Sequence, residues 1–206
     1  MTNFEESTWP PLAVVALGDP THRDEGVPLR VMGRVRTLIG EIGCSRSMEL
    51  REAIEGGADT GQVLPSEQGS LALDISARPE QLVQWIEGGT ETTRLEPFLE
   101  RRRRVILIDS VEMGGKPGSV YHWHVEAAKS GLTLLRHYGR HPNMKLDHLA
   151  FWLEDDLPAS GIDLIAIEPS DTSEGDGISP SIRSRLSTIS SQITALMFRI
   201  LVEEGW

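Results

Sequence analysis

Three carboxylates stand where acid chemistry would be expected of them. Asp24 and Glu25 lie in a loop that follows the apolar run Leu12–Leu17, and Asp109 closes a second run, Val105-Ile-Leu-Ile-Asp109. In an open α/β sheet the crevices beyond the carboxyl ends of the strands bind ligands. Such acids would offer oxygen donors there. Asp24 and Glu25 also suit the first turn of any helix, where the macrodipole and unpaired N–H groups favour negative charge. His122 and His124 alternate along one face of a predicted strand, a spacing that permits a metal chelate but equally describes the polar, solvent-facing side of an outer strand. His22 and His137 read as bystanders.

Other chemistries are poorly served. The chain has one cysteine, Cys44, and neither His-Glu-x-x-His nor Gly-x-Ser-x-Gly. A metal site would therefore be oxygen- and nitrogen-ligated, of a kind suited to nickel, zinc or manganese. Gly18 stands nearly alone where a dinucleotide loop needs three glycines, which counts against a flavodoxin-like nucleotide or flavin binder.

The elements that must position these residues read as alternating strands and helices. Residues 12–17 form a buried strand, and Val27, Val31, Val35, Leu38 and Ile39 recur at helical spacing. Residues 43–80 are rich in Gly, Ser and acid, and are expected to be an inserted, mobile excursion with short ordered pieces such as Met48–Ile54. A second unit follows, with a strand at Leu82–Ile86, a turn at Gly88-Gly-Thr90 and a helix at Thr93–Arg101. Arg101–Arg104 would close that helix as cations meeting its C-terminal dipole. Further strands are predicted at 105–109, 119–125 and 162–167, and helices at 145–154 and 180–203, the last capped by Ser179 with Pro180 at its first position. The pattern predicts one α/β domain over 1–206: three α/β/α layers around a mostly parallel, twisted sheet.

With 206 residues and a formal net charge of −11, the chain can bury a sizeable core but lacks the basic face that nucleic acid requires. The acidic N-terminus and the short apolar run after it fit neither a signal peptide nor a membrane span. The lone cysteine fits a reducing compartment. A cytoplasmic protein with no direct membrane insertion is expected; its oligomeric state is left open, a monomer being admissible.

Taken in order, the motifs resemble those of the nickel-iron hydrogenase maturation proteases. Ala16-Leu-Gly18-Asp19 followed by Asp24-Glu25 is similar to the family's first loop, and Gly88-Gly-Thr90 before Ile106-Leu-Ile-Asp109 to its second unit. Pro117-Gly118, a histidine, Ile167-Glu168-Pro169 and Gly177-Ile-Ser-Pro180 complete the series. Departures are Ala16 for a glycine, Asp19 for asparagine, Pro28 for a helix glycine, and Arg140 before the histidine.

The resemblance implies an endopeptidase that removes the C-terminal extension of a [NiFe]-hydrogenase large-subunit precursor once nickel is inserted. It implies Glu25, Asp109 and His141 as catalytic, metal-contacting residues, with His148 the alternative to His141 and Asp24 behind Glu25. The nickel would arrive with the precursor, and no tightly bound cofactor of the protein's own is implied. A metal so held would polarise the scissile carbonyl or a water. The same fold and ligands would also serve a checkpoint chaperone that binds the nickel-loaded large subunit without cutting it.

Overall fold

The computed structural model describes residues 10–55, 82–90, 102–125 and 160–205, with Leu95, Leu99 and Pro158; over 42–55 it describes backbone alone. Five strands form one sheet: β1 (Leu12–Leu17), β2 (Val83–Gly89), β3 (Arg104–Ser110), β4 (Val120–Val125) and β5 (Ile162–Ile167), in the order β2-β1-β3-β5-β4. The first four in that order run parallel, and β4 closes one edge antiparallel to β5. Every residue of β1, β3 and β5 is buried, as parallel strands covered on both faces require.

Two long helices, α1 (Val27–Glu55) and α2 (Pro180–Glu203), pack side by side on one face. There Val27, Val31, Val35 and Ile39 of α1, and Ile182, Ile189, Ile193 and Ile200 of α2, meet Leu12, Val14, Ile106, Ile108, Ile165 and Ile167. Their spacing of four and seven keeps one stripe of each helix on the sheet. α2 begins as expected: Ser179 Oγ accepts the Ile182 N–H at 3.4 Å and Pro180 needs no partner for a missing N–H. On the opposite face Leu95 and Leu99, joined by a helical Leu99 N–H to Leu95 carbonyl bond, pack with Val105, Leu107, Leu164 and Val125.

Three expectations are corrected. α1 continues to Glu55, so the segment from 43 to 55 is helix rather than the start of an inserted excursion; residues 56–81 lie outside the described residues. β2 runs on through Gly88 and Gly89, leaving the turn to Thr90. The arginines do not all close a helix. Arg104 opens β3 and is buried against Asp163, while Arg102 is buried with its guanidinium on the Pro10 carbonyl and Gln84. The expected helix over 145–154 falls outside the described residues. No described helix is long and apolar enough to cross a membrane.

Candidate functional site

The parallel strands deliver their carboxyl ends, Leu17, Gly89, Ser110 and Ile167, to one edge of the sheet, and three loops gather there. The first, between β1 and α1, ends in a single 3-10 turn, Arg23–Gly26, that packs against β3. It carries Glu25, half-buried, while Asp109 sits 5% exposed near the end of β3. The two proposed acids are thus carried by neighbouring segments at this edge.

The first loop is built on close approaches. Gly18 has φ +136°, and a Cβ placed on it would stand 1.9 Å from the Glu25 carbonyl oxygen. Only glycine allows the turn to lie against the strand end. Asp19 folds the next residues: its carboxylate accepts the Thr21 N–H at 2.9 Å and the Thr21 hydroxyl at 2.6 Å, and approaches His22 Nδ1 at 3.2 Å. Those hydrogen bonds from Thr21 hold the Asp19 carboxyl below the usual range. Asp19 thereby supplies the acceptor that asparagine, the expected residue type, would supply. Arg23 has φ +27°, the one positive φ outside glycine among the described residues, and its N–H reaches the Gly175 carbonyl at 3.1 Å.

Asp24 is fully buried, and its role is architectural. Its Oδ2 accepts Ser170 N–H, Asp171 N–H and the Ser179 hydroxyl at 2.9, 3.0 and 2.7 Å, and its Oδ1 accepts Ser179 N–H at 2.7 Å. Both oxygens of this buried side chain are thus taken up by neutral donors. It fastens the turn bearing Glu25 to the loop between β5 and α2. Its own N–H donates to the Asp171 carbonyl, and His22 bridges Gly175.

Asp109 is fixed by the chain leaving its strand, since its Oδ1 accepts the Ser110 N–H at 2.8 Å. Glu168, 4% exposed, is a second buried carboxylate at this edge, receiving the Met113 and Gly114 N–H groups and the Tyr121 hydroxyl. The Ile167-Glu168-Pro169 motif marks Glu168 in the sequence without indicating this role. Glu-Pro at a strand end was the only signal available.

His141 and His148 lie outside the described residues, as does His137. Among the described residues no set of three His, Cys, Asp or Glu side chains is gathered to hold a metal.

At the other end of the strands His122 and His124 stand on the outer strand β4 as expected, the first part-exposed and the second exposed. Both imidazoles turn to Asp163 Oδ1, at 2.8 and 3.2 Å, and Arg104 Nε lies 2.6 Å from Oδ2. Burial pushes the Asp163 carboxyl up, but the bonds from His122 and Arg104 outweigh it and hold the group below the usual range. Arg104 also reaches Glu204 at 3.0 Å, and Arg103 and Ser160 complete the network. This cluster ties the end of α2 to the amino ends of β3 and β5, far along the strands from Asp109.

A sequence model described as HycI, hydrogenase maturation protease, matches residues 72–196. That span includes Asp109 and His141 and leaves out the turn with Glu25. No curated protein matches the chain. The fold is similar to the hydrogenase maturating endopeptidase HybD of Escherichia coli, with TM-score 0.57, 17% identity, and 95% of this chain and 94% of that one covered. An endopeptidase from Escherichia coli gives TM-score 0.58 at 18% identity over the same shares, 95% and 94%. The Escherichia coli endopeptidase HycI gives 0.51 at 13% identity, covering 89% of each chain. At such identities the likeness is one of fold.

Proposed function

Because the chain belongs to the hydrogenase maturation protease family, whose model matches more than half of it, we propose that it is the endopeptidase that trims the C-terminal extension from a nickel-loaded [NiFe]-hydrogenase large-subunit precursor. The observation that carries this reading is the packing of the Glu25 turn against β3, which bears Asp109, at the carboxyl edge of the sheet. Two hard oxygen donors there suit a divalent ion brought by the substrate. In this reading Glu25 and Asp109 contact the precursor's nickel and His141 supplies the third contact. The nickel serves as the recognition element, so only a loaded precursor presents its scissile bond in register.

Polarisation of the peptide carbonyl, or of a water, by the substrate's metal accounts for the chemistry without a nucleophilic Ser or Cys. The protein's share is placement. Glu25 is held by the approach that Gly18 permits and by the Asp24 anchor, and Asp109 by Ser110 N–H. A cytoplasmic setting suits a substrate that receives nickel before export or assembly.

The test is to incubate the purified protein with nickel-loaded and nickel-free precursor and to read the precursor's C-terminus by mass spectrometry. Loaded precursor is expected to be shortened and nickel-free precursor left intact. Glu25→Ala, Asp109→Ala and His141→Ala are expected to abolish shortening in folded protein, and His148→Ala to retain it. Stable binding of loaded precursor without cleavage would replace the protease reading with the checkpoint one, and retention by His141→Ala with loss by His148→Ala would move the third contact.

A further inference from the structure

Glu168 is buried and surrounded, among the described residues, by neutral donors only. Met113 N–H lies 3.1 and 3.0 Å from its two oxygens, Gly114 N–H lies 3.0 Å from Oε1, and the Tyr121 hydroxyl lies 3.2 Å from Oε2. Burial, and then the neighbouring carboxylate, keep the Tyr121 phenol above its usual range, which preserves it as a donor. The backbone repeats the pattern around the same residue. Val111 N–H reaches the Ile167 carbonyl, Gly118 N–H the Glu168 carbonyl, and Glu168 N–H the Ser119 carbonyl, at 3.0, 2.7 and 2.9 Å. The whole loop between β3 and β4 is therefore wrapped around Glu168 at its start, middle and end. Its tightness is visible at Gly115, where a Cβ would stand 1.9 Å from the Tyr121 hydroxyl oxygen.

That loop begins immediately after the strand end that carries Asp109. The Asp109 carboxylate takes its orientation from the Ser110 N–H, so its aim depends on the direction in which the chain leaves β3. The Val111 N–H to Ile167 carbonyl bond sets its first step, and the Glu168 carboxylate holds the chain two residues further on, at Met113 and Gly114.

We propose that Glu168 is a positioning residue for Asp109: its two oxygens act as acceptors that fix the β3–β4 loop, and its charge takes no part in contacting substrate. This rests on the cleavage reading above. A misplacement of about 1 Å at a reacting group costs on the order of 10²-fold in rate.

Acceptor geometry and charge make opposite demands on two conservative substitutions. In Glu168→Gln the amide oxygen, placed at Oε1, keeps the Gly114 N–H and its share of the bifurcated Met113 N–H, while the amide nitrogen gives up the other share of Met113 and donates to a Tyr121 hydroxyl that turns to accept. In Glu168→Asp the charge survives but the acceptors retreat by one methylene from all three donors. The experiment measures cleavage of nickel-loaded precursor by wild type, Glu168→Gln, Glu168→Asp and Glu168→Ala, with amide hydrogen exchange at Met113 and Gly114 in the same proteins. Glu168→Gln is expected to cleave within about threefold of wild type with both amides protected. Glu168→Asp and Glu168→Ala are expected to lose on the order of 10²-fold with both amides exchanging fast. Should Glu168→Ala not fold, the order of Gln and Asp decides the matter alone. Asp cleaving better than Gln, or Glu168→Ala cleaving as wild type, overturns the proposal. Wild type leaving the loaded precursor uncut sinks the cleavage reading instead, and protected amides in Glu168→Asp then overturn the clamp independently.

Discussion

Gly18→Ala tests the first loop at its tightest point. A Cβ at this position would stand 1.9 Å from the Glu25 carbonyl oxygen, where ordinary contact begins at 3.4 Å, so about 1.5 Å of movement has to be found. β1 cannot supply it, because it is bonded on both sides, to β2 and to β3. The turn must move, and Glu25 with it. The φ of +136° adds backbone strain of about 1–3 kcal/mol for any residue with a Cβ, and overpacking adds about 1–3 kcal/mol more. The expected loss is roughly 2–6 kcal/mol by urea unfolding, and in whatever protein remains folded the cleavage of loaded precursor falls on the order of 10²-fold. Gly33→Ala is the matched control. It lies on α1 with nothing within 4 Å of the added methyl, and should gain about 0.5–1 kcal/mol with cleavage unchanged. If Gly18→Ala loses less than about 0.5 kcal/mol and cleaves as wild type, the argument that Gly18 seats Glu25 is wrong.

Two further substitutions probe the buried carboxylates. Asp24→Asn keeps one acceptor oxygen for Ser170 and Asp171 but turns an amide N–H against Ser179 N–H, so about 1–3 kcal/mol should be lost, whereas Asp24→Ala strands the buried Ser179 N–H and hydroxyl and the part-buried N–H groups of Ser170 and Asp171 and should lose about 3–5 kcal/mol in the same unfolding assay. Equal stability of the two variants would contradict the hydrogen-bond count. Asp163→Asn leaves the buried Arg104 with Glu204 but without its contacts to the Asp163 carboxylate, and should lose about 1.5–3 kcal/mol near neutral pH. Since Asp163 is held below its ordinary value of 3.8, its contribution is fully present above that value and is lost as pH falls through the depressed one, so wild type and variant should converge in stability on acidification below about pH 4, and a constant difference there would refute the assignment.

What the sequence made legible follows from how local each signal is. β1, β5 and α2 have the bounds their apolar patterns predict, because a fully buried strand or a capped amphipathic helix is specified by its own residues. Asp109 could be picked out because it closes an apolar run, and Glu25 because it lies in the loop that follows one. The pairing of Arg104 with Asp163 is not legible, for the opposite reason. A cation after a helical stretch looks solvated until the sheet places Asp163 and the end of α2 beside it. Periodicity reports which face a residue takes, but pairing across 59 positions, as between Arg104 and Asp163, is a property of the sheet order.

The same limit explains why Asp24 and Glu168 emerge only from the structure, and why they belong together. Each is an acid whose described partners are uncharged N–H and O–H groups of another loop, with Asp24 reaching into the β5–α2 loop and Glu168 gathering the β3–β4 loop. A buried carboxylate offers two oxygens able to take several donors at once, which no amide or hydroxyl side chain matches. Loops at the carboxyl edge have no ladder to hold them, and their backbone N–H groups still need acceptors when buried. The carboxylates meet that need, and in meeting it they set where Glu25 and Asp109 stand. Asp24 and Glu168 therefore serve as acceptors for the donors of other loops. Glu25 and Asp109 are the pair proposed for the substrate's metal, and an acid-to-amide substitution is expected to spare cleavage at Glu168 and to abolish it at Asp109.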